Sequence, residues 1–509
     1  MNYNNWLSKR ERYTPEKEAV IDASDGRRYT YRQLNIQANR LAVYLQHECE
    51  LQAGDRLAVI SKNSIEYIIL FFACAKLGIV LVPLNYRLPV AGVAELMDDA
   101  YPHMVAFSDE FEEVARQVVD DAENMRFLAM MGGENSISNI VDQQSSREPV
   151  IYEADAEDIA MILYTSGTTG KSKGAMIPWR QIHWNSINTE ISLQLSGADS
   201  SFVNTPFYHT GGWHVLLTPL IHHGGKLVLQ QEFDAAQCNK LIEQEEISIL
   251  FGIPTMLRMM MEEPNFSEAD FSSLRFAICG GESCPIPIIK RYQDKGVPIR
   301  QGYGLTEAGP NCYSLPSEDA IRKKGSVGFP NFHIGVKIVD DDNQEVEQGE
   351  VGELLMKGPH LFAGYWRNPE ATEQAIDEGW VHTGDLFRCD EEGYYYMVGR
   401  KKEMYISGGE NVYPVQVEKV IYEHDAVAQV AVIGVPDEQW GETGCAFVVL
   451  EDDQTLTAEQ LKSYCREYLA GYQCPGEIIF KDALPVGDSN KIQKRDLEQE
   501  YNRQHNDGN

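Results

Sequence analysis

The sequence is short of positive charge, of paired cysteines and of unbroken apolar runs, and each shortage removes a class of protein. Its 509 residues carry 44 Lys and Arg against 77 Asp and Glu, a formal net charge of −33. A surface that acidic repels nucleic-acid phosphates and anionic lipid headgroups, so neither is an expected general partner. A local basic pocket can still hold an anionic ligand inside an acidic shell. The ten cysteines form no C-x-x-C pair and show no regular spacing, which fits the reduced thiols of a cytoplasmic protein better than a disulfide framework. The opening residues, MNYNNWLSKRERYTPEKEA, hold no apolar stretch of signal-peptide length, so no leader is expected. The longest apolar run, Tyr67 to Leu84, is broken by Lys76 and Gly78. It has the roughly 18-residue length of a membrane span, but its pattern reads better as a buried helix, a glycine stop and a short core strand. No stable membrane insertion is expected. Short repeats and low-complexity tracts are also lacking.

What remains is an ordinary globular composition, 43% hydrophobic and 24% charged, in a chain too long for one domain. Strand and helix patterns alternate through the first four hundred residues. RLAVIS (56–61) reads as a strand, SIEYIILFFACAKLG as a helix and IVLVPL as the next strand. The unit recurs as KLVLQ, DAAQCNKLIEQEE and SILFGIP. Apolar strands joined by amphipathic helices predict an α/β architecture with mainly parallel sheets. From about Gly325 the texture changes to hairpin signals such as DDNQEVEQGEVGELLMKG, which predict a β-rich subdomain. GRKKEMYISGGENVYP (399–414), charged and then glycine-rich, reads as a hinge. The expected division is a large domain over 1–401 and a small α+β domain over 402–509.

One stretch, YTSGTTGKSKGAM (164–176), has a composition suited to phosphate. Gly167, Gly170 and Gly174 permit close backbone approach, Ser166, Thr168 and Thr169 offer hydroxyls, and Lys171 and Lys173 add charge. It is not a Walker loop, because Thr165 stands where that pattern needs glycine. The plainer alternative is a solvated turn. In QGYGLTEAGP (301–310), Tyr303 can stack on a base, Thr306 can meet a phosphate and Glu307 can hold Mg²⁺. In WVHTGDLF (380–387), Asp385 can accept hydrogen bonds from a ribose diol. Each signal is weak alone, since an Asp after Gly is usually a turn residue. His222 and His223, beside Gly224, read as a surface turn whose side chains diverge, not as a metal pair.

In this order along the chain, YTSGTTGKSKG, YGLTE, TGD, GRKKEMYISGGENVYP and Lys491 resemble the adenylate-forming superfamily of acyl-CoA synthetases, luciferases and peptide-synthetase adenylation enzymes. The resemblance implies that a carboxylic acid reacts with ATP to give acyl-AMP and pyrophosphate, and that the acyl group then passes to coenzyme A. By the same resemblance, Thr165 through Lys171 (Ser166, Gly167, Thr168, Thr169 and Gly170 between them) would cradle the β- and γ-phosphates. Gly302, Tyr303 and Gly304 would flank adenine, Thr306 would contact the α-phosphate, Glu307 would coordinate Mg²⁺, and Asp385 and Arg400 would hold the ribose. Lys491 matches the catalytic lysine, although Asn490 stands where relatives commonly have glycine; asparagine tolerates the same left-handed backbone. Lys402 matches the hinge about which a mobile C-terminal domain would rotate between half-reactions, and Ser407, Gly408 and Gly409 would line the thiol channel.

The acyl pocket is expected around TPFYHTGGWHVLLTPL (205–220), with His209, Gly212 and Trp213, and around Gly280, Gly281 and Gly304. Trp213 matches a gating tryptophan of a long-chain synthetase, although a tryptophan on an apolar helix is more often core than gate. The texture is similar to bacterial fatty-acyl-CoA synthetases, so a medium- or long-chain fatty acid is the leading substrate. Aryl acids such as cinnamate or succinylbenzoate remain open, as do a carrier-protein acceptor and a homodimer.

Overall fold

The computed structural model describes residues 3–119, 125–132, 136–143, 149–165, 172–282, 284–451, 453–487 and 492–506. The chain divides into two compact units, Met1–Val336 with Met356–His382 and Lys337–Leu355 with Thr383–Asn509.

The first unit is α/β. In its nine-stranded sheet, Ser200–Val203, Ile249–Gly252, Phe276–Cys279 and Ile299–Leu305 lie side by side in parallel, with Ile249 registered on Ser201, Phe251 on Ile278 and Ile278 on Arg300. A six-stranded sheet pairs Arg56–Ile60 with Val80–Pro83 in parallel and ends in the antiparallel hairpin Ile159–Thr165/Lys173–Pro178. Every residue of Phe276–Cys279 and of Val80–Pro83 is buried, which is the reason these strands read as continuous apolar runs.

The interrupted run at 67–84 resolves as the sequence predicts. Ser64 caps a 13-residue helix, Ile65–Leu77, by accepting from the Tyr67 amide, and Gly78 ends it at φ +71°. All of its side chains are buried, its two charges included. Glu66 meets Arg27 at 2.5 Å. The Lys76 ammonium donates to Asn5, Ser8 and Asn35 at 2.8–3.2 Å, so the N-terminal helix Trp6–Tyr13 with its flank and the helix Tyr31–His47 supply the oxygens that make a lysine tolerable there. Among the described residues, no helix is long and apolar enough to cross a membrane.

One expectation fails. His222 and His223 end the helix Leu217–His223, which Gly224 terminates at φ +82°, and they do not form an extended surface turn. The His222 ring stacks on Trp6 at 4.2 Å, and Ser186 Oγ lies 2.8 Å from its Nδ1. Burial, with the neighbouring His223, His183, Arg10 and Lys9, lowers its pKa to about 3. Burial alone does the same to His214, and burial aided by Arg180 does so to His360. These three stay neutral in the folded chain while the unfolded chain binds protons below pH 6.5. Stability is therefore complete above that pH and lost as the pH falls toward 3, each histidine contributing up to about 1.4 kcal/mol per pH unit. Denaturant titrations between pH 7.5 and 5 should show an uptake of more than one proton on unfolding below pH 6.5. A midpoint constant to pH 5 would contradict this.

The second unit carries most of a β-rich sheet, in which Trp380–Cys389 pairs antiparallel with Tyr395–Arg400. It also holds the sheet of Tyr405–Ser407, Glu410–Val412, Val427–Asp437, Gly441–Leu450 and Glu477–Phe480, packed against the helices Pro414–Tyr422 and Ala458–Tyr468.

Candidate active site

In the first unit, the segments that leave the C-terminal ends of the parallel strands carry several of the predicted residues. His209 follows Ser200–Val203, Gly280 and Gly281 follow Phe276–Cys279, and Thr306 and Glu307 follow Ile299–Leu305. Ligands of open α/β sheets bind at that edge, because successive loops there converge.

The phosphate-type loop joins the two strands of the edge hairpin. Its stem is defined by Thr165 paired with Lys173 and Tyr164 with Gly174. Thr165 Oγ1 donates to the Lys173 carbonyl at 3.4 Å. Ser166, Gly167, Thr168, Thr169, Gly170 and Lys171 lie outside the described residues. Residues 363–366 add to the open edge of Lys173–Pro178: the Met176 amide donates to Gly364, and the Trp366 amide to Gly174. This addition places Tyr365 between the hairpin and Glu307. The Tyr365 hydroxyl donates to Glu307 Oε1 at 2.8 Å, and its ring lies 5.2 Å from Lys173 Nζ. The Glu307 carbonyl accepts from the Phe362 amide at 2.8 Å, and buried Gln181 donates to the Thr306 carbonyl at 2.8 Å. The loop stem, Thr306 and Glu307 are thus one hydrogen-bonded assembly.

Tyr303 stands opposite Tyr313 on the antiparallel return strand Gly309–Ser314, their rings edge-on at 5.9 Å. Gly302 has ordinary room, the nearest atom to an added Cβ being the Tyr313 carbonyl at 3.4 Å. Gly304 has none, since a Cβ there would sit 2.3 Å from the Pro310 carbonyl oxygen.

His209 precedes the short helix Thr210–His214, its ring tilted against Tyr208 at 4.5 Å. An added Cβ at Gly212 would lie 2.6 Å from the Pro206 carbonyl oxygen, so glycine is what lets this helix close on 205–206. Trp213 is 0% exposed. It stacks on Phe207 at 4.2 Å, touches Tyr67 and Phe71, and donates from Nε1 to the Phe207 carbonyl at 2.6 Å. Gly280 faces the edge of the half-buried Phe251 ring, 3.4 Å from where its Cβ would be, and Gly281 has φ +82°.

In the second unit, Asp385 and Arg400 are direct cross-strand partners, joined by an ion pair at 3.3 Å in which the carboxylate is 4% exposed and the guanidinium 48%. Lys402 is exposed in the 3-10 turn Lys401–Glu403. Ser407 and Glu410 close a two-residue hairpin whose tip, Gly408 and Gly409, has φ +61° and +88°. Positive φ at both positions is the type I′ requirement that selects glycine. The Gly408 amide donates to the Trp440 carbonyl, and the indole of Trp440 lies over Gly408. Lys491 lies outside the described residues, but the stem of its loop is defined by the bridge between Val486 and Ile492 and by the Gln493 amide donating to Pro485 at 2.8 Å. Immediately beyond, Lys494 reaches Glu418 at 2.8 Å and Glu403 at 3.1 Å. Burial alone would lower the Lys494 pKa, but Glu418 and Glu403 outweigh it and the pKa is raised.

Tyr365, Phe251 and Lys494 were not singled out from the sequence. Tyr365 in AGYWRNPEATEQ carried only an aromatic after a glycine as signal, and Lys494 only its closeness to Lys491.

The family described as AMP-binding enzyme matches residues 7–366, and its C-terminal domain matches residues 416–491. The chain is similar to a feruloyl-CoA synthase of an Amycolatopsis species, at 35% identity over 97% of this chain and 98% of that one. It is equally similar to the long-chain-fatty-acid–CoA ligase FadD13 of Mycobacterium tuberculosis, at 35% identity over 97% of each. The solved structure of o-succinylbenzoate coenzyme A synthetase from Bacillus subtilis, in complex with ATP and magnesium ion, superposes with a TM-score of 0.87 at 30% identity, covering 97% of this chain and 99% of that one. With two family matches that bracket the site and relatives aligned end to end, the chain belongs to the AMP-binding enzyme family.

Proposed function

We propose that the chain is an AMP-forming acid–CoA ligase acting on an apolar carboxylic acid. The observation that carries this reading is the assembly of the phosphate-loop stem, Thr306 and Glu307 through Tyr365. A site for a triphosphate and its cation needs a glycine-rich backbone cradle, a hydroxyl and a carboxylate in one rigid frame.

The residues present fit Mg²⁺. Glu307 offers a single hard carboxylate at the loop stem, and no cluster of three or more His, Cys, Asp or Glu that could hold a metal occurs among the described residues. Mg²⁺ characteristically binds through one or two carboxylates plus substrate phosphates and keeps its waters. When bound it would neutralise triphosphate charge.

Residues 166–171 cradle the β- and γ-phosphates, Thr306 meets the α-phosphate, and Asp385, oriented by Arg400, accepts from the ribose hydroxyls. Lys491 bridges the substrate carboxylate and the α-phosphate, where charge accumulates as the carboxylate oxygen bonds to phosphorus and the bond to pyrophosphate breaks. The thiol sulfur of coenzyme A then attacks the acyl carbonyl past Ser407, Gly408 and Gly409, and AMP leaves. A domain of 402–509 turning about Lys402 exchanges the two steps.

The acid meets His209, Gly212, Gly280, Gly281 and Gly304, with Trp213, 0% exposed, packed as core behind them. A fatty acid remains the leading substrate, and an aryl acid stands beside it because a feruloyl-CoA synthase and a fatty-acid ligase are equally similar to this chain. Mass spectrometry of reactions with ATP, Mg²⁺, coenzyme A and a panel of alkyl and aryl acids tests the reading. AMP appearing with an acyl-CoA supports it, and the most abundant thioester names the acid. AMP with acyl-adenylate alone points to a carrier-protein acceptor. Absence of nucleotide turnover across the panel overturns it.

A further inference from the structure

Tyr365 is fixed more firmly than an edge residue needs to be. Its amide donates to Thr372 Oγ1 at 2.9 Å, that hydroxyl donates on to the Asn368 carbonyl at 2.8 Å, and Tyr365 itself bridges Ala175 on the hairpin. The next residue, Trp366, is held at its indole by the Asp99 carbonyl at 3.0 Å. So anchored, the ring presents its face to the Lys173 ammonium and its hydroxyl to one oxygen of Glu307. A carboxylate held through one lone pair of Oε1 is restrained in orientation, and Oε2 with the second lone pair of Oε1 can still meet a cation.

We infer that Tyr365 is a positioning residue for Glu307: it aims the carboxylate that takes the divalent cation and registers it to the stem of the phosphate loop through Lys173. The inference rests on the nucleotide-and-cation reading of this site. Residues that orient a metal ligand typically change metal affinity 10- to 100-fold when replaced.

The test is Mn²⁺ binding to the full-length chain, followed by electron paramagnetic resonance in the presence of non-cleavable α,β-methylene-ATP. Tyr365→Phe removes one hydroxyl and leaves the ring under Lys173. It should weaken Mn²⁺ about tenfold or more while nucleotide binding in EDTA and the melting temperature stay near those of the parent. In a Glu307→Gln background the same change should add nothing, because Tyr365 acts through that carboxylate. Mn²⁺ affinity within twofold of the parent, or a further loss in the Glu307→Gln background, overturns the role of Tyr365 alone. A parallel loss of metal-free nucleotide binding also overturns it, in favour of a structural role. Failure of the unchanged chain to bind Mn²⁺ with the nucleotide overturns both this inference and the reading beneath it.

Discussion

Lys491→Ala is expected to slow acyl-adenylate formation by roughly two to three orders of magnitude, the loss that follows removal of one preorganised electrostatic donor. The transition state of that step spreads negative charge over the attacking carboxylate and the α-phosphorus, and an ammonium reaching both has no substitute once it is cut back to a methyl group. In the proposed cycle the second half-reaction does not use it. Thioester formation from synthetic acyl-AMP and coenzyme A should therefore remain within a few fold of the parent. The two halves are separable by pyrophosphate release in one assay and thioester appearance in the other. Equal losses in both halves would remove Lys491 from the chemistry and point to damage in the fold. Because the stem of the loop is closed by backbone, through Val486 with Ile492 and Gln493 with Pro485, truncating the side chain leaves those contacts intact.

Gly304→Ala should come close to that effect from a purely steric cause. An added Cβ would sit 2.3 Å from the Pro310 carbonyl oxygen and 2.6 Å from that of Gly309, both backbone atoms of the return strand, where less than 3.0 Å is not tolerated. The hairpin must open, and Tyr303, Thr306 and Glu307 move with it. Overpacking of this kind costs about 1–3 kcal/mol, and a displacement of about 1 Å at a reacting site costs about a hundredfold in rate. We expect a lowered melting temperature and adenylation reduced roughly a hundredfold. Gly302→Ala is the control for the melting temperature alone, since its Cβ would find ordinary contact with the protein at 3.4 Å. If Gly304→Ala melts like Gly302→Ala, close backbone approach is not what selects glycine at 304.

What the sequence disclosed and what it withheld follow from the range of the interactions. A phosphate cradle of consecutive backbone amides would have its glycines and hydroxyls contiguous, which is why the one proposed at 164–176 can be sought in the sequence alone. The buried helix 65–77 was legible for a similar reason, because its cap, its apolar face and its glycine stop are local. Tyr365 was not, because it meets Glu307 across 58 residues and only after residues 363–366 have joined a sheet edge. His222 and His223 were misread because nothing in IHHGG reveals that Trp6 will cover them. Lys494 showed itself only as one more basic residue near Lys491, since Glu403 lies 91 residues away.

The bond from Lys494 to Glu403 and Glu418 has a mechanical consequence. Glu403 directly follows Lys402, so the first fastened point of the chain after that residue is one step away. The turn about Lys402 proposed above would take its freedom from backbone ahead of 403 and would carry Glu403, Glu418 and Lys494 together. Lys491 lies three residues before Lys494 in the sequence. In the proposed cycle, the segment next to the pivot is thus joined to the start of the last helix by an ion triad and not by the slack of a linker.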